Sequence, residues 1–173
     1  MVNGLLNLEP ASNDEELEIL AGLNQAPKKI SPKFFYDEAG SRLFEEICRQ
    51  PEYYPTRTEL GIMRTNIQQI AELVGQGASL IEFGSGSSVK TRLLLRHLPD
   101  LAAYVPVDIS KEHLINAAED LVDEFPDIEV LPVCADFTRP FELPRPAVLP
   151  RRNLVFFPGS TIGNFSRDEA LTV

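Results

Sequence analysis

Metal-binding side chains are scarce in this chain. Its two histidines, His97 and His113, stand apart, and its two cysteines, Cys48 and Cys134, share no metal-ligand spacing. A structural zinc needs a full set of closely spaced ligands, so no metal site is expected. Both cysteines read as reduced, buried residues of a cytoplasmic protein. Basic runs are missing too: 16 Lys and Arg stand against 26 Asp and Glu, a net charge of -10. Polyanions are held by basic stripes, so nucleic acid is not an expected partner, and the acidity reads as solubility. No stretch approaches the roughly 18 apolar residues of a membrane span. Met1-Val2-Asn3-Gly4 lacks the cationic start and apolar run of a secretory signal, so none is expected there.

The hydrophobic fraction of 43% and charged fraction of 24% suit a globular chain with a real core. Residues 1–12 read as a loose lead-in, and Ser12-Asn13-Asp14-Glu15 as a capping box opening a helix through Leu17, Leu20 and Leu23. A second helix is expected over Ser41–Gln50, followed by Pro51-Glu52-Tyr53-Tyr54-Pro55, a proline-bracketed loop with two exposed tyrosines. Thr56-Arg57-Thr58-Glu59 reads as another capping box. Beyond it, Leu60, Met63, Ile67, Ile70, Ala71 and Val74 recur at helical spacing.

From Ser79 the pattern changes. The apolar runs Leu80–Phe83, Ala102–Val107, Ile128–Val133 and Leu154–Phe157 alternate with helix-length segments at Lys90–Leu98 and His113–Phe125. Strands apolar on both faces and separated by helices predict a parallel sheet in an α/β fold. The expected division is a helical segment over 1–55 and a Rossmann-like domain over 56–173. Ser166-Arg167-Asp168-Glu169 opens a helix that the sequence leaves at Val173. A helix averages about 11–12 residues and an open doubly wound sheet has about five or six strands, so a truncated chain is expected.

Ligands of parallel sheets bind beyond the carboxyl ends of the strands. The first strand runs into Glu82-Phe83-Gly84-Ser85-Gly86-Ser87-Ser88 and then a helix. Glycines there admit a ligand to the backbone, the helix N-terminus favours a carboxylate, and Lys90 is within reach of the same group. The dinucleotide pattern G-x-G-x-x-G fails at its third glycine, which is Val89, and no Walker A sequence occurs. Asp108 ends the second strand where a ribose-binding acid belongs. Asp136 ends the third, placed to accept from an adenine amine with Phe137 packed on the ring. The fourth leads into Phe157-Pro158-Gly159-Ser160-Thr161-Ile162-Gly163-Asn164-Phe165, a loop suited to face a methyl group and its acceptor. Together these features favour a methyl donor, S-adenosylmethionine, over a nicotinamide dinucleotide.

Five segments carry a resemblance: Ser31-Pro32-Lys33-Phe34-Phe35-Tyr36-Asp37, Pro51-Glu52-Tyr53-Tyr54-Pro55-Thr56-Arg57, Glu82 through Arg92, Ala135-Asp136-Phe137, and Pro158-Gly159-Ser160-Thr161-Ile162-Gly163-Asn164. They resemble the histidine-specific methyltransferase family, from about Lys28 to the end of the chain. The resemblance implies a class I S-adenosylmethionine-dependent fold, and trimethylation of the α-amine of L-histidine to hercynine in ergothioneine biosynthesis. It also implies that Gly84, Lys90, Asp108, Asp136 and Phe137 hold the cofactor, with Gly159 lining the same pocket; Ser85 and Gly86 are assigned to the cofactor from the glycine loop itself. Tyr53 and Asn164 match histidine-binding positions, and Tyr36 approaches the same site. Family members are longer, and their later half completes the sheet and adds to the substrate site. Other acceptor amines, or a fragment that binds the cofactor without turnover, stay open.

The acceptor amine must lose a proton before each transfer. No general base is visible in this stretch, and His113 reads as a helix-surface residue, so the proton is expected to pass to water or to a group beyond Val173. The fourth strand is expected to be an unprotected edge through which the chain self-associates.

Overall fold

The computed structural model describes residues 4–9, 12–86 and 88–173. Its centre is a parallel sheet of β1 (Leu6–Leu8), β2 (Ala78–Phe83), β3 (Ala103–Asp108), β4 (Val133–Ala135) and β5 (Arg152–Phe156), in the order β1-β4-β3-β2-β5. Around it lie α1 (Ser12–Leu23), α2 (Glu38–Arg49), α3 (Pro55–Val74), α4 (Val89–Leu95), α5 (Lys111–Glu124) and the short α6 (Arg167–Ala170). Two 3-10 turns, Pro32–Phe35 and Thr161–Asn164, complete the described elements.

β2 and β3 are buried along nearly their whole length, as expected of strands covered on both faces. The stripe Met63, Ile67, Ala71 and Val74 of α3 packs on one face with Leu80, Tyr104, Leu94, Leu95, Ala118 and Leu121, so α3, α4 and α5 share one core. The opposite face gathers Ile81, Val105, Val107, Val133 and Ala135 beneath Phe83, Phe137 and Phe141. The chain runs outward from β2 to β3 and β4, then returns to place β5 on the other side of β2. That reversal opens a crevice beyond the strand ends, where open α/β sheets bind ligands.

Four local readings change. The lead-in contains β1, paired with β4 from Leu6↔Val133 to Leu8↔Ala135. One half-buried and two exposed residues carry no period of their own, and only the partner strand makes them a strand. The third strand is delayed to Val133, because Pro132 cannot donate to a ladder. Before it, Val130 forms a single bridge to Tyr104. α2 begins at Glu38, with the Asp37 carboxylate accepting from Gly40 N at 2.7 Å. The capping box at Thr56–Glu59 does not form: Pro55 starts α3 without a side-chain cap, and both residues bond elsewhere. The box at Ser166–Glu169 does form. The capping role read for Ser12 lies outside the described side chains, and Ser87 outside the described residues. No helix among the described residues is long and apolar enough to cross a membrane.

Candidate functional site

A cavity of about 490 Å³ lies over the carboxyl ends of the strands. Its walls include Gly84, Ser85, Gly86, Lys90, Asp108, Asp136, Phe137 and Gly159, together with Tyr36, Tyr53 and Asn164. All eleven residues singled out in the sequence therefore meet at one place, although they come from widely separated segments.

The β2–α4 loop is shaped by its backbone. Gly84 and Gly86 have φ of 73° and 43°, the left-handed region glycine enters without steric cost. Ser88 adopts 56° just before α4 begins. The hydroxyls of Ser85, Ser88 and Ser110 are buried and make no hydrogen bond among the described residues. Of these, Ser85 and Ser88 line the cavity, where a hydroxyl can donate to or accept from a polar ligand.

Three carboxylates follow, each in a different environment. Glu82 is 1% exposed, and its Oε2 accepts from Thr91 Oγ1 and Tyr104 OH, both at 2.6 Å. Burial pushes its carboxyl up to about 7 against the pull of those two donors. Asp108 is also buried, and burial raises its carboxyl, offset in part by the backbone N–H groups of Ser110, Gly86 and Ile109. Asp136 goes the other way. Burial acts to raise it, but the Lys33 ammonium at 2.7 Å and two donors from Thr138 hold it below the usual value.

Lys90 lines the cavity, yet its ammonium is already paired with Glu59 at 2.6 Å. The same Glu59 carboxylate accepts the Gly159 N–H at 3.1 and 3.2 Å. One α3 side chain thus ties α4 to the loop after β5. Gly159 has φ of 77°, and a Cβ there would lie 3.4 Å from Lys90 Nζ. On the far wall, Tyr36 and Tyr53 flank Phe44 edge-on, with centroids 5.8 and 5.9 Å away. Burial, and then the nearby Cys48, raise both phenols above their ordinary value, so both stay protonated donors. Phe137 stacks on Phe83 at 5.2 Å and meets Phe157 edge-on at 5.4 Å. Asn164 is at the exposed rim, in the turn Thr161–Asn164.

Several wall residues escaped the sequence reading. Glu59, Lys33 and Thr91 sit on elements whose pattern speaks only of helix or turn. His113 is a correction: it is half-buried and lines the cavity, with Nε2 buried, 3.9 Å from Glu45 and without a hydrogen bond. It faces inward because α5 packs against α2, which no local signal records. Of the two loop tyrosines only Tyr54 is exposed; Tyr53 turns into the cavity.

The model of the family described as histidine-specific, SAM-dependent methyltransferases matches residues 15–173. The chain belongs to this family. The histidine N-alpha-methyltransferase of Mycolicibacterium smegmatis is 44% identical over 153 residues, covering 86% of this chain and 46% of that protein. The ergothioneine biosynthesis protein 1 of Neurospora crassa is 30% identical, covering 84% of this chain and 17% of its own length. The chain thus spans about half the length, or less, of the curated relatives it matches. A candidate S-adenosyl-L-methionine-dependent methyltransferase of known structure from Methanococcus maripaludis superposes with a TM-score of 0.50 at 19% identity, over 78% of this chain and 56% of that one. At that identity the likeness speaks for the fold, which is α/β and Rossmann-like.

Proposed function

We propose that this chain forms the cofactor-binding part of an S-adenosylmethionine-dependent N-methyltransferase that methylates the α-amine of L-histidine to hercynine, in the ergothioneine pathway. The observation that carries this reading is the convergence of the eleven residues on one cavity at the reversal of strand order. The cavity suits a nucleoside with an amino-acid tail. The Ser85 and Ser88 hydroxyls in its wall and its left-handed glycines admit polar groups close to the backbone.

Gly84, Ser85 and Gly86 cradle the tail, Lys90 faces its carboxylate, and Gly159 closes over it. Asp108 accepts from the ribose hydroxyls, Asp136 accepts from the adenine amine, and Phe137 packs on the ring. Tyr53, Asn164 and Tyr36 orient the amino acid that receives the methyl group. Bound S-adenosylmethionine supplies an electrophilic methyl carbon on a sulfonium. The protein's task is to align that carbon with a neutral amine and exclude water, which is catalysis by positioning. The two protonated phenols suit hydrogen-bond donation rather than proton abstraction.

Residues 1–55 supply Tyr36 and Tyr53 and contribute to the substrate side; residues 56–173 form the cofactor-binding domain. A cytoplasmic location and self-association through β5 belong to the same proposal. The length comparison favours a second reading, in which this stretch binds the cofactor without turnover. Calorimetric titration with S-adenosylmethionine tests binding, and mass spectrometry of L-histidine incubated with protein and cofactor tests transfer. Heat with no methylated product selects the second reading. No heat overturns both, and methylation of a different amine overturns histidine.

A further inference from the structure

Lys33 belongs to the 3-10 turn that leads directly into Tyr36, and its side chain is only 14% exposed. Its ammonium donates to Glu18 Oε2 of α1 at 2.6 Å and to Asp136 Oδ2 at 2.7 Å. The Asp136 side chain is 5% exposed. Its Oδ1 is taken up by Thr138 N at 3.0 Å and Thr138 Oγ1 at 2.6 Å. Each carboxylate oxygen has two lone pairs, so Oδ1 is saturated, while Oδ2 keeps one direction beside Lys33. Arg139 is the other cation near it, with Nε at 3.8 Å, but Arg139 also reaches Asp14 at 3.5 Å and Glu18 at 3.7 Å.

We propose that Lys33 is a positioning residue that holds Asp136 ionised and turned so that one acceptor direction is left for the purine, making the site accept a 6-amino purine and reject a 6-oxo purine. A buried carboxylate without its cation becomes a neutral acid. A neutral carboxyl can donate to a keto oxygen but is a poor partner for an amine, so loss of Lys33 would blur the base preference as well as weaken binding. Lys33 also links two ligand sides, since the turn that fixes Asp136 sets out the position of Tyr36. Burial alone would lower the lysine ammonium's affinity for its proton, and the Asp136 and Glu18 hydrogen bonds more than offset this, so Lys33 itself stays charged.

The inference rests on the cofactor reading of the cavity, and its first test is independent of any ligand. Carboxyl-carbon NMR of the intact chain follows Asp136 in the wild type, Lys33→Met and Lys33→Arg. Asp136 should titrate below the ordinary range in the wild type and in Lys33→Arg, and above it in Lys33→Met. Unchanged titration in Lys33→Met, with Arg139 taking over, overturns the proposal whatever the cavity binds.

The second test is calorimetry with S-adenosylhomocysteine and S-inosylhomocysteine at acidic and alkaline pH, each variant expressed as a ratio to wild type so that Glu82 and Asp108 cancel. Lys33→Met should lose about tenfold in S-adenosylhomocysteine affinity at acidic pH, one unit of carboxyl titration, and far less at alkaline pH. It should lose much less for the inosyl compound, and Lys33→Arg should restore both. Equal losses for both compounds at every pH mean a purely structural ion pair and overturn the proposal. Absence of wild-type binding overturns the cofactor reading together with it.

Discussion

Glu82 illustrates what a single buried carboxyl does to the pH response. Its folded value of about 7 lies above the 4.5 of an exposed glutamate. Between those values the folded chain holds a proton that the unfolded chain releases, so this residue's contribution to stability falls as pH rises through the window. The effect saturates above pH 7 at no more than on the order of 3 kcal/mol. Glu82→Gln should remove that slope, so denaturant midpoints of variant and wild type should diverge progressively from acidic to neutral pH in the variant's favour. A constant gap at every pH would contradict it. Gly159 makes a second residue-scale case. Its φ of 77° puts a strain on any other residue of about 1–2 kcal/mol, and the added methyl meets Lys90 Nζ. Gly159→Ala should lower stability by about 1 kcal/mol and weaken cofactor binding, whereas Gly61→Ala, on α3 away from the cavity and with nothing within 4 Å, should do neither.

At the level of elements, the start of α3 is decided by partners outside the helix. Thr56 donates to Cys48 Sγ at 3.4 Å and Glu59 spans to Lys90 and Gly159, so neither caps the helix that their spacing announces. A failed capping box should behave asymmetrically. Thr56→Ala should cost well under the ~1 kcal/mol of a true cap. Glu59→Ala leaves a partly buried ammonium and a backbone N–H without their acceptor and should cost about 1–3 kcal/mol, with a loss of cofactor affinity measurable by titration. Equal small costs would restore the capping reading. The strand-end acids were legible because each follows an apolar run, and the register then follows from pairing: Leu80 meets Tyr104 and Leu154 across the ladder. β1 was not legible, since a three-residue edge strand owes its conformation to β4 alone.

For the whole molecule, β5 pairs only with β2 among the described residues, and Val155 is 54% exposed on it. An apolar parallel strand with one open edge invites a second chain to pair. Sedimentation should therefore find concentration-dependent association in the wild type, and Val155→Lys, an edge charge, should shift it toward monomer. A wild type that stays monomeric at high concentration would remove the edge-pairing prediction. The same strand order that leaves this edge open also builds the cavity, since β5 returns beside β2 and brings Gly159 to face Lys90.

By itself the sequence determined the order of helices and strands after Ser79, the residue at each strand tip, and through its motifs the family. These are local facts: apolar periodicity, glycine spacing and an acid after each run survive reading in one dimension. Only the tertiary structure decided which charges meet. Lys33 with Asp136, Glu59 with Lys90, and His113 turned toward Glu45 depend on the packing of α1, α2 and α3 around the strand tips. Pairings across such separations leave no periodic trace, because a buried ion pair is set by distance in space and by desolvation, not by spacing along the chain.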